Sequence, residues 1–148
     1  MPSYPIEFVS EAKADQVFEL PWSISSGDMN TFCSVPIDFG GTGGGFSPED
    51  LFLQAVINCF VGTFKVMAKL SKISYTNIQV AGKLYVDKNL EGKVCMKSIN
   101  LAIEIAGSDR PERLGTLVSK ALREGFIINS VKSEILYSLN EGPLGPIQ

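Results

Sequence analysis

The chain has 148 residues, 45% apolar and 20% charged, which is enough for one domain with a real core (1–148) and too few for two comfortable ones. Its net charge of -3, pI of about 5.0 and lack of any Lys/Arg cluster exclude the basic face that nucleic acid requires. There is no histidine, so Ser-His-Asp and Cys-His catalysis are excluded too.

Residues 1–5 carry no basic segment followed by an apolar run, so no signal peptide is expected. Residues 4–39 read as short strands. Ile6, Phe8 and Ser10 alternate with Glu7, Val9 and Glu11, and residues 16–22 and 31–35 are further candidates separated by Ser-Gly-Asp turns. Lys13 falls in the turn after the first strand and Cys33 within a later one. The run Gly40-Gly41-Thr42-Gly43-Gly44-Gly45 lacks the GK[ST] ending of a phosphate loop, since Phe46-Ser47-Pro48 follows it. It reads as a tight connector that lets another segment pack close.

A long helix is predicted from Ser47 to about Lys72. Ser47 suits the N-cap, Pro48 the first helical position, and Asp50 completes a capping box. Glu49 and Asp50 also favour the positive end of the helix dipole. Leu51, Ala55, Val56, Cys59, Phe60, Thr63, Val66, Met67 and Leu70 recur at helical spacing. A helix apolar on most sides predicts a partner chain or an enclosing sheet. The most apolar stretch, 51–64, is too short to span a bilayer, so a soluble cytoplasmic protein with no membrane partner is expected.

Residues 75–87 and 94–106 alternate like an antiparallel hairpin turning at 89–92, with Cys95 in the second strand. A second helix follows Ser108-Asp109, carries Leu114, Leu117, Val118, Ala121 and Leu122 inward, and stops at Gly125. Ile135, Leu136, Tyr137 and Leu139 form a last strand, and residues 142–146 are expected to lack regular structure. Strands, long helix, hairpin, helix and strand make an α+β chain with a largely antiparallel sheet.

Cys33, Cys59 and Cys95 are odd in number and lack CxxC spacing, which fits reduced thiols better than disulfides or a zinc site. No metal or cofactor is expected. Cys59 is the only one of the three placed on the long helix. It lies about three turns from the helix start, beyond the reach of that helix's dipole, so a reactive thiolate there needs a cation from elsewhere in the fold.

The segment Phe39-Gly40-Gly41-Thr42-Gly43-Gly44-Gly45-Phe46-Ser47-Pro48-Glu49-Asp50-Leu51, followed by Cys59-Phe60, resembles the OsmC-like and organic hydroperoxide resistance family. There a G-G-x-G-x-x-x-x-P-E-x-L segment leads into the central helix, and a cysteine follows ten residues after the glutamate. Glu49 and Cys59 keep that spacing, and the resemblance covers roughly residues 5–140. It implies an OsmC-like fold: antiparallel sheets around a long central helix in an interlocked homodimer, with reactive sites at the dimer interface. It also implies reduction of organic hydroperoxides by one cysteine that becomes a sulfenic acid, a second that forms a disulfide with it, and an N-terminal arginine, oriented by the glutamate, that stabilises the thiolate. Ten helical residues rise about 15 Å, so Glu49 would act through a bridging cation or from the partner chain.

Two departures stand out. Gly125 occupies the place of the family's second cysteine, and no arginine precedes Arg110. Lys13, the only basic residue before Lys65, is the candidate replacement, although an ammonium lacks the planar fork of a guanidinium. The candidate catalytic set is therefore Cys59, Glu49 and Lys13. Two readings follow from the resemblance. One is a one-cysteine thiol peroxidase that takes a small hydrophobic peroxide and an external thiol reductant. The other is a non-catalytic member that binds a small hydrophobic ligand at the dimer interface. An unrelated interaction module is a third reading, disfavoured by the Pro-Glu…Cys spacing.

Overall fold

The computed structural model describes residues 2–148. By internal contacts the chain divides into two compact units, Met1–Leu51 and Phe52–Gln148.

The first unit is an antiparallel sheet in the order β1 (Ser10–Lys13), β2 (Trp22–Ser26), β3 (Met29–Cys33). Gly27, at φ 59°, makes the turn between β2 and β3, as the Ser-Gly-Asp signal predicts. Two expectations fail here. The alternation at residues 6–9 forms no strand, and residues 16–21 are turn and bend rather than strand. The Asp15 carboxylate accepts the Val17 N–H at 2.9 Å, which bends the chain locally, and Pro21 offers no N–H to a ladder. Lys13 is accordingly the last residue of β1, paired with Ser23, and not part of a turn.

Helix α1 spans Pro48–Leu70. Its start follows the predicted chemistry: the Asp50 N–H donates to Ser47 Oγ at 3.0 Å, and the Ser47 N–H donates to Asp50 Oδ2 at 2.9 Å. The helix runs past the apolar stretch ending at Phe64. By length and composition alone it would also suffice to cross a membrane, a test that core helices of globular domains pass as well.

The second unit holds the core. Strands β4 (Asn77–Lys88) and β5 (Val94–Ala106) form the expected antiparallel hairpin, with a register shift at Tyr85/Val86. Helix α2 (Leu114–Glu124) follows, then β6 (Glu134–Leu139) and a short β7 (Gly145–Pro146), giving the sheet order β4-β5-β6-β7. The sheet is mixed rather than wholly antiparallel, because β6 pairs with β5 in parallel. A parallel pair needs a long crossover, usually helical, and α2 supplies it. The tail is also more ordered than expected: Gly145 and Pro146 pair with Tyr137 and Leu136 at the sheet edge, where proline is tolerated.

Val56, Phe60, Phe64 and Ala68 of α1 pack in one buried cluster with Ile99, Leu101, Ile103 and Ile105 of β5 and all five predicted inward residues of α2. The buried stripe on α1 is thus narrower than its apolar surface. Val66 and Leu70, which recur at helical spacing in the sequence, are 59% and 77% exposed.

Candidate functional site

Cys59 lies on α1 at the margin of this core, half-buried, with a free thiol. The residue it faces comes from far along the chain. A Cβ built on Gly125 would stand 2.8 Å from Cys59 Sγ and 3.3 Å from Ile128 Cδ1. Gly125 ends α2 as predicted, but not for the predicted reason. Its φ of -66° and ψ of 125° are open to any residue, so the helix stop does not call for a left-handed glycine. What favours glycine is the space beside the sulfur, which a Cβ could enter only by displacing the Cys59 side chain. The sulfur therefore meets bare backbone on this side, with no side chain interposed. The resemblance implies this juxtaposition, since it places at position 125 the second cysteine that pairs with the first in the family.

In the first unit, Lys13 lines a cleft of about 420 Å³ under the connector 14–21, with Phe18, Leu20 and Trp22 among its walls. The glycine run holds that connector in place. Thr42 Oγ1 donates to the Glu19 carbonyl, Gly40 lies under the Phe18 ring and Gly44 under Pro21. At Gly41 a Cβ would overlap the Val35 carbonyl, and at Gly45 it would stand 2.7 Å from the Phe32 carbonyl oxygen. The run is the close-packing connector that its composition predicts.

Glu49 sits in the first turn of α1, and its Oε2 is buried without a hydrogen-bond partner among the described residues. A buried carboxylate oxygen in that state is costly unless a cation or a proton reaches it. Cys33 belongs to the same unit and is 4% exposed. Burial raises its thiol pKa above the ordinary value of 9.0, and the Glu49 and Asp50 carboxylates push it further the same way, against a backbone hydrogen bond with Ser34. Cys33 is therefore held as a neutral thiol, opposite to what a nucleophile requires. Among the described residues no group of three His, Cys, Asp or Glu side chains is gathered as a metal site.

Comparison with known proteins gives this geometry a context. The chain is 33% identical over 93 residues to an organic hydroperoxide resistance protein of Xanthomonas axonopodis pv. citri (strain 306). That match takes in 60% of this chain and spans 61% of the relative's length. An OsmC-like protein of unknown function from Vibrio cholerae superposes with a TM-score of 0.82 at 17% identity, covering 91% of this chain and 99% of the other. An organic hydroperoxide resistance protein OsmC from Legionella pneumophila superposes with a TM-score of 0.71 at 21% identity, covering 93% and 97%. These structural likenesses establish the fold. The family described as OsmC-like protein matches residues 41–140, a stretch that contains the glycine run, Glu49, Cys59 and Gly125, and the chain belongs to that family.

Proposed function

We propose that this protein reduces organic hydroperoxides with Cys59 as its single reacting thiol. The observation that carries the reading is the setting of Cys59: a free, half-buried thiol on the central helix whose sulfur faces the bare backbone of Gly125. In the first step the thiolate attacks the terminal oxygen of the peroxide. An S–O bond forms, the O–O bond breaks, and the alkoxide leaves and takes up a proton to become the alcohol. Cys59 is then a sulfenic acid. With glycine at position 125 no neighbouring thiol exists there, so an external thiol condenses with the sulfenic acid and expels water. A second external thiol releases Cys59 by disulfide exchange. Lys13 and Glu49 are the proposed supporting pair. The unpartnered Glu49 oxygen supports a role for it in holding a cation, and Lys13 makes no ion pair among the described residues. The protein acts as a cytoplasmic homodimer in this reading.

The non-catalytic alternative, a family member that binds a small hydrophobic ligand between two copies, draws on the broad exposed apolar surface of α1. One measurement separates the two. Purified protein is treated with cumene hydroperoxide and the Cys59 peptide is followed by mass. Rapid, selective oxidation at Cys59, lost in Cys59→Ser, supports the peroxidase. Slow oxidation spread over Cys33, Cys59 and Cys95 rejects it.

A further inference from the structure

The contact with Gly125 closes one approach to the Cys59 sulfur, so a peroxide must arrive from another side. The helix itself sets what stands there. Residues four apart on a helix share one face, with Cβ atoms about 5–6 Å apart, and the later side chain leans back over the earlier turn. On α1 the residue so placed beside Cys59 is Thr63. Both are half-buried, and the stripe they begin continues into the exposed Val66 and Leu70. The Thr63 hydroxyl is also unspent. A mid-helix hydroxyl can donate to the carbonyl four residues before it. Ser130 makes a bond of that kind to the Phe126 carbonyl, and the Asn58 amide makes one to that of Gln54. Thr63 engages in no side-chain hydrogen bond among the described residues, which leaves a donor one turn from the sulfur with nothing to meet. We infer that Thr63 is a further catalytic residue, whose hydroxyl donates a hydrogen bond to the leaving oxygen of the peroxide. The inference rests on the peroxidase reading and adds to it the group that meets the developing charge. As the S–O bond forms and the O–O bond breaks, negative charge gathers on that oxygen, where a fixed donor is most effective. Thr63 keeps its own proton, and water protonates the departing alkoxide.

Thr63→Val removes the hydroxyl and keeps the shape of the side chain. Its Cys59 is expected to be oxidised by cumene hydroperoxide at least about tenfold more slowly than that of the parent protein. Thr63→Ser restores the donor and should restore the rate. Alkylation of Cys59 by iodoacetamide needs the thiolate but no donor to a peroxide oxygen, so it should proceed in Thr63→Val as in the parent. Oxidation of Thr63→Val at the parent rate overturns the inference and leaves the peroxidase reading in place. Equal slowing of oxidation and alkylation also overturns it, because the hydroxyl would then act on the sulfur or its surroundings and not on the peroxide. A parent protein whose Cys59 is alkylated normally but is inert to the peroxide removes the peroxidase reading, and this inference with it.

Discussion

Gly125 shows how a single atom's absence shapes a site. Its backbone is ordinary, so a replacement is felt in space, against the Cys59 and Ile128 side chains, and not in conformation. Gly125→Ala would press a methyl group to 2.8 Å from Cys59 Sγ and 3.3 Å from Ile128 Cδ1, in a region where both Gly125 and Ile128 are buried. Overpacking of this kind typically costs about 1–3 kcal/mol. The expected result is a urea midpoint lowered to match, with most of the loss recovered in Gly125→Ala/Cys59→Ala, where the sulfur is gone. A double-mutant cycle measures this directly: a coupling near zero would mean that Gly125 serves some neighbour other than Cys59. Cys33 makes the complementary point. Its strand position was legible, but its burial beside the acidic start of α1 was not, because that proximity comes from the chain folding back between Phe46 and β3.

Among the elements, the helices were the most legible. In α2 all five residues predicted to face inward are buried, because an 11-residue amphipathic helix has one apolar stripe and one place to put it. In α1 the apolar positions outnumber those the chain itself can cover, so periodicity named Val66 and Leu70 where burial chose Phe64 and Ala68. The short strands of the first unit were least legible. Local turn chemistry at Asp15 and Pro21 overrode the strand-like composition of residues 16–21. The start of α1 rests on a reciprocal pair of hydrogen bonds, and Ser47, 9% exposed, has little water to replace them. Ser47→Ala should therefore destabilise the protein by about 1 kcal/mol, read as a shift in the urea midpoint. Ser47→Asp should recover most of that, since its carboxylate also accepts from the first turn. An alanine variant as stable as the parent would show that the helix start is fixed by its surroundings and not by its cap.

At the scale of the whole molecule, the class α+β followed from the order of elements, while the mixed sheet did not. Whether β6 joins β5 in parallel or antiparallel depends on where the α2 crossover delivers the chain, and residue patterns within a strand carry no record of that. The same scale decides what covers the remaining apolar surface. In residues 2–51 Cys33 is the one hydrophobic side chain in the buried class, while Phe8, Met29 and Phe32 are 92%, 76% and 55% exposed. Along α1 the apolar window suited to a bilayer is only 22% buried. Exposed apolar area on this scale marks an interaction surface, and a second copy of the chain is the occupant that the interlocked-dimer expectation supplies. Sedimentation equilibrium should then give twice the 16.0 kDa chain mass at micromolar concentration. Charging the uncovered side of α1 with Val66→Glu and Leu70→Glu should shift the species toward the monomer while leaving the Phe60–Phe64 core in place, because neither residue belongs to the buried cluster. A parent protein that sediments at 16.0 kDa would remove the dimer and, with it, the reading in which Glu49 acts from a partner chain.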